Sequence, residues 1–227
     1  MSFTLTWLGH GAFFLETGGN KILVDPFLSE NPAASAGPDQ FQPNFILLSH
    51  GHDDHLGDTV DIARRTGAPV ITNYELCSWL RDQGLTTHAQ HVGGGCSHPF
   101  GYLKFTQALH GSGLPNGQDG GNPVGFLLTT KEGQKLYLAC DTGLFGDMRL
   151  IGEEGIDLAV LPIGDNFTMG PEDALKAVKM IQPKHVIPVH YNTWDMIAQD
   201  PDAWAERVRT ETESEVHVLK PGESFSL

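Results

Sequence analysis

Short apolar runs alternate with polar, turn-forming segments along the whole chain, and they predict many short strands interleaved with helices. Residues 3–8, 12–17 and 21–25 read as a meander of strands, with Gly18-Gly19-Asn20 as a hairpin turn. Residues 28–44, rich in Pro, Ala, Ser and Gly, read as a loop, and 45–49 as a buried strand. A helix follows from Gly57 to Thr66, a strand over 68–72, and a helix capped by Asn73 that reaches about Gln83. Strands are expected over 102–109, 124–130, 134–140, 157–163, 185–189 and 216–219. Helices are expected from Pro171, seated near the first helical position, and over 202–210. The stretch from His110 to Gly125 is too glycine-rich for an element and reads as a loop near a site. Meander first, then mixed strand and helix, predicts two sheets packed face to face with helices on the outer faces. No repeat or linker divides residues 1–227, which are expected to form one domain.

Composition narrows the picture. Apolar residues make up 40% of 227, and no run approaches the ~20 needed to span a bilayer. The start of the chain alternates like a strand and lacks a basic segment followed by an apolar one, so a cytoplasmic, unprocessed protein is expected. Cys77, Cys96 and Cys140 make an odd count without C-x-x-C spacing, which argues against a disulfide framework. A formal charge of −14 disfavours long nucleic acids and anionic membranes, and points to a small-molecule partner. A homo-oligomer is left open.

The densest chemistry lies at 50–55, His-Gly-His-Asp-Asp-His, directly after the apolar run 45–48. Imidazole and carboxylate are ligands for zinc, iron, nickel and manganese. His110, Asp141 and His190 also follow strand-like runs, so their side chains are expected to meet the first cluster at one edge of a sandwich. His50, His52, Asp54, His55, His110, Asp141 and His190 exceed the needs of one tetrahedral ion and suit two. His50, His52 and His110 are assigned to one ion, Asp54, His55 and His190 to the other, and Asp141 to a bridge between them.

These residues resemble the metallo-β-lactamase superfamily, whose central motif matches 50–55 and whose later ligands fall in the order His110, Asp141, His190. Trp7-Leu8-Gly9-His10-Gly11, Leu23-Val24-Asp25-Pro26, the segments 141–148 and 161–170, and Pro188-Val189-His190-Tyr191-Asn192-Thr193 are similar to an uncharacterised metal-dependent hydrolase branch related to L-ascorbate-6-phosphate lactonases. The resemblance implies an α/β fold, a four-layer αβ/βα sandwich of two mixed sheets. It also implies hydrolysis by a metal-activated hydroxide. Asp141 stands where true β-lactamases often carry Cys, and Cys140 is expected to face the opposite way. Substrate selection is expected to fall to the loop 111–123.

Two divalent ions are therefore expected, zinc first, with manganese, iron or nickel as alternatives. Asp54 is expected to ligate and to orient the nucleophile as the catalytic carboxylate. His10, Asp25, Asp165, Asn166, Tyr191 and Asn192 are candidates for orienting ligands or touching substrate. The substrate reads as a small ester, lactone or phosphoester. A phosphodiesterase or nuclease is the alternative, and a non-catalytic metal-holding sensor or scaffold the second. His88, His91, Cys96 and His98 fit no fixed metal template and read as ordinary histidines around a glycine turn. His185 and His217 read as structural, and Trp79, Trp194 and Trp204 as helix-packing residues.

Overall fold

A computed structural model describes residues 3–227, and Met1 and Ser2 lie outside the described residues. The chain opens with an antiparallel meander, β1 (Thr4–Gly9), β2 (Ala12–Thr17) and β3 (Asn20–Val24). Three strands then extend it in parallel: β4 (Phe45–Leu47), β5 (Val70–Thr72) and β6 (Thr87–Ala89). Between them run the helices α1 (Asp53–Leu56), α2 (Thr59–Thr66) and α3 (Tyr74–Asp82).

The second sheet begins with an antiparallel group, β7 (Gly95–His98), β8 (Gly101–Gln107), β9 (Val124–Thr130) and β10 (Lys135–Leu138). After α4 (Met148–Gly152) it continues in parallel through β11 (Leu158–Pro162), α5 (Pro171–Ile181), β12 (His185–Val189), α6 (Pro201–Glu211) and β13 (Glu215–Val216). The last strand, β14 (Ser224–Ser226), returns to pair antiparallel with β1. The sheets thus have seven strands each, ordered β14-β1-β2-β3-β4-β5-β6 and β13-β12-β11-β10-β9-β8-β7.

Two cores hold the layers together. Phe3, Leu5, Phe13, Leu15, Phe105 and Phe126 belong to a large cluster that joins the sheets and extends to Leu175, Val178 and Trp204 on α5 and α6. Leu23, Ile46, Leu48, Ile62, Leu76 and Leu80 form a second cluster under α2 and α3. The helices therefore cover the outer faces, as the alternation of strand and helix predicts.

Differences from the expected elements are local. The helix expected from Gly57 starts at Thr59, because Gly57 takes φ +39 and ends the short α1 instead. Gly95 opens β7 rather than closing a turn, and β6, β7, α4 and β14 have no counterpart in the sequence reading. All are three to five residues long, too short for a period to register.

Strand direction positions the site. β1, β3 and β4 run the same way in one sheet, and so do β8, β10 and β12 in the other. Their carboxyl ends are followed by His10, Asp25, His50, His110, Asp141 and His190.

Candidate metal centre

Three of these residues are the first past their strands and sit in the left-handed region: His10 at φ +55, Asp25 at +42 and His190 at +55. Cys140, before Asp141, does the same at +53. A non-glycine residue there costs on the order of 1 kcal/mol, and such strain collects where a side chain must be aimed. Gly11 makes room as well: a Cβ there would stand 2.6 Å from His55 Cε1.

The predicted ligands converge. His50 Nε2 lies 3.0 Å from His52 Nδ1, which lies 3.2 Å from His110 Nε2. His10, Asp54, His55 and His190 form a second group whose ligand atoms all lie within 4.8 Å of one another. Asp141 reaches both groups, with Oδ1 at 3.2 Å from His55 Nε2 and Oδ2 at 3.1 Å from His190 Nε2 and 3.5 Å from His110 Nε2.

A hydrogen-bond network fixes which nitrogens face inward. Asp25, fully buried, accepts from the Ser49 backbone N–H at 2.7 Å, the Ser49 hydroxyl at 2.6 Å and His55 Nδ1–H at 2.9 Å. With its own proton on Asp25, the Ser49 oxygen accepts from His50 Nδ1–H at 2.9 Å. One carboxylate thus leaves the Nε2 lone pairs of both His50 and His55 turned to the centre. His10 Nε2–H donates to Asp54 Oδ2 at 3.1 Å, and its Nδ1 accepts from the Thr193 hydroxyl at 2.8 Å.

The set fits cations. His55 Nε2 and both ring nitrogens of His190 are buried without a hydrogen-bond partner, because the nearby Asp141 oxygens lie off the hydrogen-bonding direction. Buried polar atoms are normally paired, and a cation held by imidazole and carboxylate is the partner this donor set lacks.

Charge is distributed accordingly. Burial drives His50 well below its ordinary range, with His55 adding to the effect. Burial and then the His190 ring bring His10 down to about 4, against the pull of Asp54. Burial lowers His110 too, against Asp141. Burial pushes His55 down as well, but Asp141 and then Asp25 overturn it and hold the ring well above its usual value. Burial pushes Asp141 up, yet His190 and His55 hold it far below the carboxylate range. Asp54 is likewise held below that range, burial being outweighed by the His10 hydrogen bond and then by His55.

Four expected residues lie away from the ligands. Asp165 and Asn166 are exposed turn residues, Asp165 Oδ1 accepting from the Asn166 backbone at 2.9 Å. Just before the turn, Gly164 passes so close to the His190 carbonyl that a Cβ would collide with it. Tyr191 is buried against Trp7, with ring centroids 5.5 Å apart, and burial pushes its phenol up to about 12. Asn192 accepts from the Gln199 backbone at 2.7 Å. Cys140 packs against the core cluster, and burial, with the Asp25 and Asp141 charges adding to it, pushes its thiol well above its usual value.

Ser49 and Thr193 carry no role in the sequence reading, although each lies within three residues of a ligand histidine. A hydroxyl so close to a ligand was the available signal. The loop 111–123 starts beside the His52 ring, where a Cβ on Gly111 would stand 3.4 Å from Nε2. Its Ser112 hydroxyl accepts from the Gly51 backbone at 3.2 Å, and Leu114 is buried in the core under α3. A cleft of about 420 Å³ opens over His52, Asp54, His110 and Asp141, walled by Phe167, Trp194 and Met196. Trp194 is 40% exposed and meets His10 edge-on at 4.9 Å, so it lines the cleft rather than packing a helix. Trp204 is buried against α5, as expected.

Comparison with known proteins agrees with the fold. A model of the beta-lactamase superfamily domain matches residues 20–191. A UPF0173 metal-dependent hydrolase of Pelotomaculum thermopropionicum is 49% identical over 98% of this chain and 99% of its own length. Another, of Desulforamulus reducens, is 51% identical over the same shares. The solved structure of a novel metallo hydrolase from the archaeon Ignicoccus hospitalis superposes with a TM-score of 0.92 at 34% identity, covering 100% of this chain and 99% of that one.

Proposed function

We propose, from the premise that this chain belongs to the UPF0173 metal-dependent hydrolase family of the beta-lactamase superfamily, that it hydrolyses a small uncharged ester or lactone. The cleft carries this reading. Its floor is the ligand cluster, its walls are Phe167, Trp194 and Met196, and no Lys or Arg lines it. A phosphoester, or a lactone bearing phosphate, brings negative charge that bound ions alone would have to meet in a cleft without Lys or Arg, which favours the uncharged substrate. The formal charge of −14 weighs against a nucleic-acid substrate in the same way. A non-catalytic scaffold would not call for an open apolar cleft over the ligands.

In this reading His50, His52 and His110 would hold one divalent ion and Asp54, His55 and His190 another, with Asp141 within reach of both groups. Zinc suits a set of five imidazoles and two carboxylates, with manganese, iron and nickel as alternatives. Such ions, when bound, supply Lewis acidity toward the substrate oxygen and toward a nucleophilic water. The chain's own side chains do the rest. Asp25 and Ser49 hold the ligand rings of His55 and His50 in register. Asp54 stays ionised, with Oδ2 tied to His10, and its other oxygen orients the attacking water by accepting from it. Phe167, Trp194 and Met196 exclude bulk water and hold the apolar part of the substrate.

Turnover of p-nitrophenyl acetate, a simple lactone and bis-p-nitrophenyl phosphate, each with and without chelator, tests the proposal. Chelator-sensitive hydrolysis of the ester and lactone, with the phosphodiester near background, is expected. Faster turnover of the phosphodiester would move the assignment to phosphodiesterase, and no chelator-sensitive turnover on any of them would favour the scaffold.

A further inference from the structure

At the end of the sandwich that holds β6 and β7, the last strands of the two sheets, lies a second set of ligand-type side chains. His88 comes from β6, and Cys96 and His98 from β7. Residues 96 and 98 share one face of their strand because side chains alternate. One nitrogen or sulfur from each of the three lies within 4.8 Å of the others. Ligands around a tetrahedral zinc stand about 3.3–3.8 Å apart, so small side-chain rotations would bring the three onto one ion.

The surroundings prepare the rings for a cation. Gln90, nearly buried, donates its amide Nε2 to the Leu103 carbonyl at 3.1 Å, which fixes which way the amide points. Its Oε1 therefore accepts from His98 Nε2–H at 3.0 Å, leaving the lone pair of His98 on Nδ1. His98 is held flat on Phe100 at 5.0 Å between ring centroids, and edge-on to His88 at 4.9 Å. Among the described residues, the His88 ring nitrogens have no hydrogen-bond partner. The Cys96 thiol has only a contact of 3.6 Å to the neighbouring Ser97 carbonyl.

We propose that His88, Cys96 and His98 bind a zinc ion, separate from the hydrolase centre, that pins the edge of one sheet to the edge of the other. A thiolate and two imidazoles select zinc over magnesium or calcium, and water completes the fourth position. The ion closes the segment 88–98 across two short strands that face each other without pairing.

Cobalt reads this site apart from the hydrolase centre, whose ligands are all histidine and aspartate. Metal-stripped full-length protein titrated with Co²⁺ is expected to show a thiolate-to-cobalt charge-transfer band in the near ultraviolet. Cys96→Ser is expected to abolish the band and to bind one equivalent of metal fewer, measured by elemental analysis after loading with zinc. His98→Ala, which keeps the thiol, is expected to weaken the band. No band in the wild-type protein overturns the proposal, whatever the variants do. A band that survives in Cys96→Ser, or an unchanged metal content in that variant, overturns it equally.

Discussion

Asp25 shows how much one side chain can fix. Its two oxygens take three hydrogen bonds, and through them it sets the protonated nitrogen of His55 directly and of His50 by way of Ser49. Asp25→Asn keeps the shape, and Asn tolerates the φ of +42, so the fold should survive. The amide cannot accept on both sides, however, and at least one ligand ring loses its orientation. Metal affinity is expected to fall roughly 10–100-fold, as for other groups that orient metal-binding histidines. Competition with a chromophoric chelator measures it, and unchanged affinity would remove Asp25 from this role. At this scale the ligands are legible because H-x-H-x-D-H is dense in a way ordinary loops are not. Asp165, Asn166, Tyr191 and Asn192 were not separable from them, because sequence position beside a motif says nothing of the direction a side chain takes. Tyr191 adjoins His190 yet points into the core.

Among the elements, α3 is tied to the glycine-rich loop through Asn73. The Asn73 oxygen accepts from the Leu76 N–H at 2.9 Å, and its amide donates to the Gly120 and Asn122 carbonyls at 2.7 and 3.0 Å. Asn73→Ala removes the cap and leaves two carbonyls without their donor. It is expected to cost roughly 2–3 kcal/mol, about 1 for the cap and the rest for the loop bonds. Urea unfolding gives the first quantity, and hydrogen exchange should show faster opening over 111–122. A loss below about 1 kcal/mol with unchanged exchange would contradict the tie. The cap itself is legible, since Asn precedes an amphipathic run. The bonds to residues 120 and 122 are not, because they join positions some fifty residues apart. The same holds for α1, four residues long and too short to be stable by its own propensity.

For the whole molecule, the rim gathers Asp25, Asp54 and Asp141 with five histidine ligands at the meeting edge of two sheets, in a chain already carrying a formal charge of −14. Without a bound ion, His55 Nε2 and both His190 ring nitrogens are buried and unpaired. In the Cys96→Ser background, where only the hydrolase centre is read, zinc at a hundredfold excess over its dissociation constant should add about 2.7 kcal/mol of stability for each ion bound. That corresponds to a rise in melting temperature of roughly 5–10 °C for a chain of this size. Differential scanning fluorimetry before and after zinc addition checks it, and an unmoved melting point would mean that the rim holds no ion in the folded state. Among the described residues, no helix is long and apolar enough to cross a membrane. By itself the sequence determined the order of the longer strands and helices, the layered architecture and a set of candidate metal-binding side chains, because hydrophobic period and ligand type are local properties of the chain. Tertiary structure alone decided that Ser49 joins Asp25 in orienting the ligand rings and that Phe167, Trp194 and Met196 form the cleft. Those contacts depend on strand direction and on which residues meet across the sandwich, and both are set by packing between segments far apart in the chain.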